Sequence, residues 1–191
     1  AMTTRLGGVS RAPFDSFNLG DHVGDDPICV AANRQRLTRL LGVQTVFLKQ
    51  IHGIHVEHLQ HHTPHGTVAD ACVTQSLGLA CTVMVADCLP VLLHDPAAGV
   101  IGAVHCGWRG SVADILGAAV AQMCALGAHP ADIRAAIGPG IGACCFEVGP
   151  EVVAAAEALL HAPLGALARP RADGKALLDL KGVNARRLVQ L

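Results

Sequence analysis

Concentrated charge is what this sequence most plainly lacks. Fourteen lysines and arginines face fifteen acidic residues for a formal net charge of −1, and the arginines are scattered rather than gathered into a run. Without a basic face there is no electrostatic footprint for a polyanion, so no nucleic-acid partner is expected. Long apolar runs are missing too. The longest, "LGLACTVMVA" at 77–86, is about half of the ~20 residues a membrane-spanning helix needs, so no membrane span is expected. The opening "AMTTRLGG" has neither the charged stretch nor the apolar core of a secretory signal, which points to a cytoplasmic protein. No low-complexity linker and no internal repeat divide the chain, and 191 residues suffice for one core, so 1–191 reads as a single domain. The eight cysteines lie mostly inside apolar runs, as at Cys29, Cys72, Cys81 and Cys124. A chain of this size needs no disulfide staples, and reduced thiols are expected.

Local signals place the elements. In "DDPICVAANRQRLTRLLG", Asp26 is set to cap a helix, Pro27 suits its first position and Gly42 stops it. Four β-branched segments follow: "VQTVFLKQIHG", "HGTVADACVTQ", "LACTVMVADCLPVLLHD" and "GVIGAVHCG". The two longest strands are too apolar to face water on either side, and "DPAAG" at 95–99 reads as a hairpin turn between the last two. Ser111 is expected to start a helix, with Asp114 completing a capping box. "DIRAAI" reads as a strand, "GPGIGACCFEVG" as a glycine-rich loop and "PEVVAAAEALLH" as a helix with proline at its start. The final "ALLDLKGVNARRLVQL" has the rhythm of a strand and a helix. Strands mixed with intervening helices give an α+β architecture.

Three reactive side chains fall where apolar strands run into turns: His52 after "VFLKQI", Cys88 after "CTVMVAD" and His105 after "GVIGAV". Two histidines and a thiolate are suitable Zn²⁺ ligands, and three protein ligands leave a fourth position open for chemistry. The spacing is not a short-range metal motif, and packed core residues are the competing reading.

"TTRLGGVSRAPFDSFNLGDHVGDDPICVAANRQRL", "LKQIHG", "ADACVT", "VADCLPVLLHDP", "GAVHCGWRG" and "AIGPGIGACCFEVGPEV" together resemble the bacterial YfiH family, also called the polyphenol oxidase or laccase-domain family. The resemblance runs through nearly the whole chain in the family's order. It implies mixed β-sheets packed as a sandwich with flanking helices, in α/β/β/α layers. It implies a zinc enzyme acting on purine nucleosides, with phosphorolysis of adenosine, inosine and methylthioadenosine and deamination of adenosine. By position, the family's metal ligands fall on His52, Cys88 and His105. Family members continue beyond the point where this chain stops, so a C-terminal segment is expected to be lacking.

Around these ligands, Asp70 and Asp87 are acidic residues in apolar sequence surroundings. Each is either a proton carrier or ligand-orienting partner, or a carboxylate tied to backbone amides. Arg109 and Arg5 are candidates for holding phosphate, although Arg109 could instead lock a turn by pairing with an acid. Trp108 is most simply a packing anchor. Glu147 could reach a ribose hydroxyl or cap the following helix. Cys144 and Cys145, as chain neighbours, are not expected to bond to each other. The histidine-dense "HGIHVEHLQHHTPHG" reads, apart from His52, as a solvated strand and loop. Two other chemistries compete with the zinc reading. Copper oxidation of phenols is disfavoured because no His-X-His pair occurs, and metal-free nucleophilic catalysis would use Cys88 activated by His105. A non-enzymatic binding domain leaves three reactive side chains unexplained. Oligomeric state is not legible.

Overall fold

The computed structural model describes residues 1–191. Helix α1 spans Pro27–Leu41, with the signals the sequence carries. The Asp26 carboxylate accepts from the Ile28 N–H, Pro27 stands at the first turn, and Gly42 ends the helix in the left-handed region at φ 67°. Its buried face includes Asn33, whose amide donates to Ser10 Oγ and to the Ser16 and Asn18 carbonyls and accepts from the Val9 N–H. One fully buried side chain thereby straps the N-terminal segment onto α1.

Strands β1 (Gln44–Val46), β2 (Val56–His58), β3 (Ala71–Thr74), β4 (Leu79–Cys81), β5 (Leu89–Asp95) and β6 (Val100–Cys106) follow. Next come helices α2 (Trp108–Val112) and α3 (Ile115–Ala125), strands β7 (Arg134–Ile137) and β8 (Glu147–Val148), helix α4 (Pro150–Leu160), strands β9 (Ala168–Pro170) and β10 (Ala176–Leu178), and helix α5 (Leu180–Gln190). The central sheet runs β2-β3-β6-β5-β7, with β2 and β3 parallel and the other pairs antiparallel. β5 and β6 form the hairpin expected around residues 95–99, and Asp95 fixes its turn by accepting from the Ala97 and Ala98 N–H groups. β1 and β4 make a separate parallel pair, and β8-β10-β9 a small antiparallel sheet.

Alternation along β3 and β6 explains the layering. Ala71, Val73, Val104 and Cys106 pack with Ile115, Leu116, Ala119 and Met123 of α3 in one cluster. Cys72 and Ala103 point the other way, into a second cluster with Val46 of β1 and Leu79 of β4. With α3 outside the central sheet and α1 beside β1, the order is helix, sheet, sheet, helix, the α+β sandwich expected. A third cluster joins α4, β10 and α5 through Val152, Leu160, Leu178 and Val183.

Two expectations are corrected. "LACTVMVADCLPVLLHD" is not one strand, because β4 pairs with β1 in one layer while β5 pairs with β6 in the other. Residues 82–88 carry the chain between layers and cannot belong to either ladder. The helix expected from Ser111 is likewise broken. Ser111 lies buried within α2, while Asp114, at φ 67°, caps α3 by accepting from the Gly117 N–H. Arg187 of α5 clamps the same carboxylate at 2.8 and 2.6 Å. No helix is long and apolar enough to cross a membrane.

Candidate metal centre

The three sequence-predicted ligands converge. One donor atom each from His52, Cys88 and His105 lies within 4.8 Å of the others. Two metal–ligand bonds of ~2.0–2.3 Å bridge about 4 Å, so a small contraction lets one ion reach all three. His52 is exposed, Cys88 half-buried and His105 buried, so the group opens to solvent on one side. The placements refine the strand-end picture. Only His105 lies in a strand, one residue before the end of β6; Cys88 directly precedes β5. His52 stands in a turn beyond the isolated Lys49–Val68 bridge, with φ 60°.

Asp70 organises the group. Its side chain is fully buried, and its two oxygens accept from the backbone N–H groups of Ile51 (3.0 Å), His52 (2.8 Å) and Gly53 (2.8 Å) and from His105 Nδ1 (2.8 Å). Three successive amides wrapped round an anion make a nest, here with a side-chain carboxylate as the anion. Burial pushes the Asp70 pKa up, but the His105 bond and the three amides together outweigh it, so it lies below the ordinary carboxylate value. An ionised Asp70 only accepts, which assigns the His105 proton to Nδ1 and leaves the Nε2 lone pair for a metal. Burial lowers the His105 pKa, with the Asp70 bond opposing, and the neutral imidazole is the ligating form. The nest also holds the left-handed turn that a bulky residue at position 52 would otherwise avoid. Asp70 is thus tied to backbone amides, and the same carboxylate fixes the orientation of the His105 ring.

Cys88 Sγ lies 4.0 Å from His52 Nε2, and the His52 and His105 rings meet edge to face with centroids 4.8 Å apart. Burial, followed by the charges of Asp87 and Asp70, raises the Cys88 thiol pKa, so a metal-free thiolate is disfavoured here. Cys106 points into the α3 core, and burial pushes its thiol far up. The adjacent cysteine in "HCG" is thus a packing residue.

The remaining candidates separate. Asp87 is exposed, not enclosed in apolar surroundings as its sequence context suggests; its carbonyl accepts from the Ile141 N–H at 2.7 Å. Arg109 is exposed, with its guanidinium 4.5 Å above the Trp108 ring. No carboxylate pairs with it within 4.0 Å, and the turn-locking ion pair is not formed. Trp108 packs against both the α3 and α4 clusters, which is the anchoring role. Arg5 is exposed and donates from Nε to the Asp15 carbonyl at 2.8 Å. Glu147 does not cap α4, whose N-cap is Gly149. Its carboxylate is shared by Lys175 at 2.7 Å and Arg171 at 3.0 Å. In the histidine-rich run, His55 meets Glu57 and the His65 ring accepts from the Phe47 N–H; only His52 joins the cluster.

Two further residues support the group. A Cβ on Gly107 would stand 2.9 Å from a His52 ring carbon and 3.1 Å from Cys88 Sγ, so only glycine leaves the ligands their space. The glycine beside "HC" was the available signal. Gln50 exchanges two bonds with the Met84 backbone, donating to its carbonyl at 2.8 Å and accepting from its N–H at 2.7 Å. That clasp ties the segment leading to Cys88 to the one leading to His52, and nothing in the spacing announced it.

Known proteins resemble this chain in both sequence and fold. A Streptomyces griseus protein named purine nucleoside phosphorylase is 49% identical over 160 residues, covering 80% of this chain and 64% of its own length. A Deinococcus radiodurans protein of the same name is 46% identical over 187 residues, covering 96% of this chain and 71% of its own length. The chain thus spans between 64% and 71% of these two curated relatives. Among solved structures, a Neisseria meningitidis protein superposes with a TM-score of 0.89 at 36% identity, covering 98% of this chain and 76% of that one. YfiH of Bacillus licheniformis gives 0.85 at 31%, covering 97% and 74%. The family model described as multi-copper polyphenol oxidoreductase laccase matches residues 1–191. Sequence match and shared fold together place the chain in the laccase-like YfiH family that this model describes.

Proposed function

We propose that this chain binds zinc through His52, Cys88 and His105 and acts on purine nucleosides, in phosphorolysis of adenosine, inosine and methylthioadenosine and in deamination of adenosine. The observation that carries the reading is the convergence of these three donors on the Asp70 nest. The donor chemistry fits: two neutral imidazoles and a thiolate suit Zn²⁺ with one position left open. The names of the relatives supply the substrate class. Copper is the alternative metal suggested by the family's description, but one three-donor group suits zinc better than a multinuclear copper centre.

When bound, zinc would supply Lewis acidity, polarising a substrate oxygen or lowering the pKa of water. The chain's own residues do the rest. Asp70 keeps His105 in the tautomer that offers Nε2 and fixes the His52 turn, so it is a positioning residue rather than one that touches substrate. Asp87, exposed beside Cys88, is given the role of taking or returning a proton at the departing base or attacking nucleophile. Arg109, free of any carboxylate partner, presents a planar fork to inorganic phosphate. Arg5 keeps its terminal N–H groups for the same anion while its Nε holds the Asp15 carbonyl. Glu147, already shared by two cations, is given no nucleoside contact.

Metal-free catalysis by Cys88 and His105 is the weaker reading, because the ring nitrogen that Cys88 meets belongs to His52 and the thiol is raised rather than activated. Metal analysis of the purified protein is expected to give one zinc per chain, and stoichiometric copper or no metal overturns the reading. Adenosine incubated with and without phosphate then identifies the reaction. Adenine formed only with phosphate marks phosphorolysis, inosine formed in either case marks deamination, and neither product removes the nucleoside assignment.

A further inference from the structure

Two cysteines take no part in the metal centre. Cys144 and Cys145 are the only exposed cysteines of the eight, and their Sγ atoms lie 3.0 Å apart without a bond between them. They sit in the glycine-rich loop that joins β7 to β8, where Cys145 and Phe146 both turn back to the Gly142 carbonyl. This loop rests on the flank of Cys88. The Ile141 N–H donates to the Asp87 carbonyl at 2.7 Å, and a Cβ on Gly140 would stand 2.9 Å and 3.0 Å from the carbonyl oxygens of Asp87 and Cys88. At its other end the loop is anchored by Phe146, which packs against the α3 and α4 clusters. Any change of shape at residues 144–145 is therefore confined between a fixed aromatic anchor and the segment carrying a metal ligand.

Against the expectation from their adjacency in the chain, we propose that Cys144 and Cys145 form a reversible dithiol–disulfide couple, oxidised by low-molecular-weight disulfides, and that its closure is transmitted through Gly140 and Ile141 to the Cys88 segment. The step balances in two exchanges. The thiolate of one cysteine attacks a sulfur of the small disulfide RSSR, forming a protein–SR bond and releasing RS⁻. The neighbouring thiolate then attacks the protein sulfur, forming the Cys144–Cys145 bond and expelling the second RS⁻. The protein loses two electrons and two protons, and RSSR becomes two RSH.

Chain geometry explains why such a bond is a switch and not a staple. Adjacent Cα atoms are ~3.8 Å apart, below the ~4.4–6.8 Å that disulfides usually span, so the closed ring is strained and easily reduced. Strained, exposed disulfides belong to the labile, regulatory class. Exposure also separates this pair from Cys72 and Cys106, which are buried and out of reach of a small oxidant.

The test uses the 191-residue chain in oxidised glutathione, followed by thiol blocking, digestion and mass spectrometry. The peptide containing residues 144 and 145 is expected to lose two hydrogens, carry no adduct and return to the dithiol with reductant. Cys144→Ser and Cys145→Ser, exposed and conservative changes, are each expected to retain a stable glutathione adduct on the remaining cysteine. A wild-type peptide that keeps its adducts without closing, or that stays fully reduced, overturns the couple. Hydrogen exchange at Ile141 is the second readout. It is expected to speed severalfold on oxidation of the wild type and to stay constant in the two serine variants. Equal exchange in both redox states of the wild type overturns the transmission to the Cys88 segment.

Discussion

Asp70 and His105 meet at 2.8 Å through Oδ1 and Nδ1, Asp70 directly preceding β3 and His105 lying in the neighbouring β6, and the His105 N–H also donates to the Asp70 carbonyl at 2.8 Å. The pair is held twice, once through its side chains and once through its backbones. The same carboxylate gathers the turn bearing His52, so one buried charge sets the positions of two proposed ligands. An unpaired carboxylate at this depth would be costly, and four donors are what make it tolerable.

Asp70→Asn removes the charge and turns an NH₂ group toward donors that need an acceptor. Zinc affinity, measured by chelator competition, should fall on the order of 10–100-fold. Denaturant unfolding should show a loss of roughly 1–3 kcal/mol for buried groups left unsatisfied.

Gly107→Ala tests the space around the ligands. The added methyl stands 2.9 Å from the His52 ring and 3.1 Å from Cys88 Sγ, so the ring or the sulfur must move. Zinc stoichiometry is expected to drop while far-UV circular dichroism stays that of the wild type.

Cys88→Ser should abolish both zinc retention and nucleoside turnover. Retained zinc with lost turnover would instead identify Cys88 as a nucleophile.

Gln50→Ala removes both bonds to Met84. Each hydrogen bond contributes about 0.5–1.5 kcal/mol net, so unfolding should show a loss of roughly 1–3 kcal/mol. Amide exchange at Met84 should rise, and zinc should dissociate faster than from the wild type.

Acid stability should depend on Asp95. The N–H groups of Ala98 and His129 are the chief causes that hold its carboxyl below the ordinary range. Since the folded pKa lies below the unfolded value of about 3.9, the stabilisation is complete above pH ~4 and is lost as pH falls through the folded pKa. Asp95→Asn should therefore lower stability at neutral pH and flatten the acid limb of the stability curve, as read by denaturant midpoints across pH 2–6.

Local chemistry made much of the fold readable. Asp26, Pro27 and Gly42 mark α1 because capping and φ preference act within a few residues, and "DPAAG" marks the β5–β6 turn for the same reason. The failures lie where neighbours in the chain part company in space. Residues 79–95 look like one strand because each residue has strand propensity, but the two ends pair in different layers and the middle can satisfy neither. The Ser111 helix reads as continuous because Asp114 resembles a third capping position, while Arg187, 73 positions away, holds it as the start of a second helix. Asp87 and Asp70 sit in similar apolar surroundings in the sequence. One is exposed and the other fully buried, since burial depends on what packs from other elements.

The sequence by itself determined the secondary elements with local signals and the absence of a basic run or a spanning run, and it offered His52, Cys88 and His105 as candidate donors. Tertiary structure alone decided that these donors meet, that Asp70 binds four donors, that Gly107 leaves them room and that Gln50 holds their two segments together. Propensity and capping are short-range and act between chain neighbours. Coordination geometry and carboxylate desolvation arise between residues up to 53 positions apart in the chain, and only the packing of the layers brings those together.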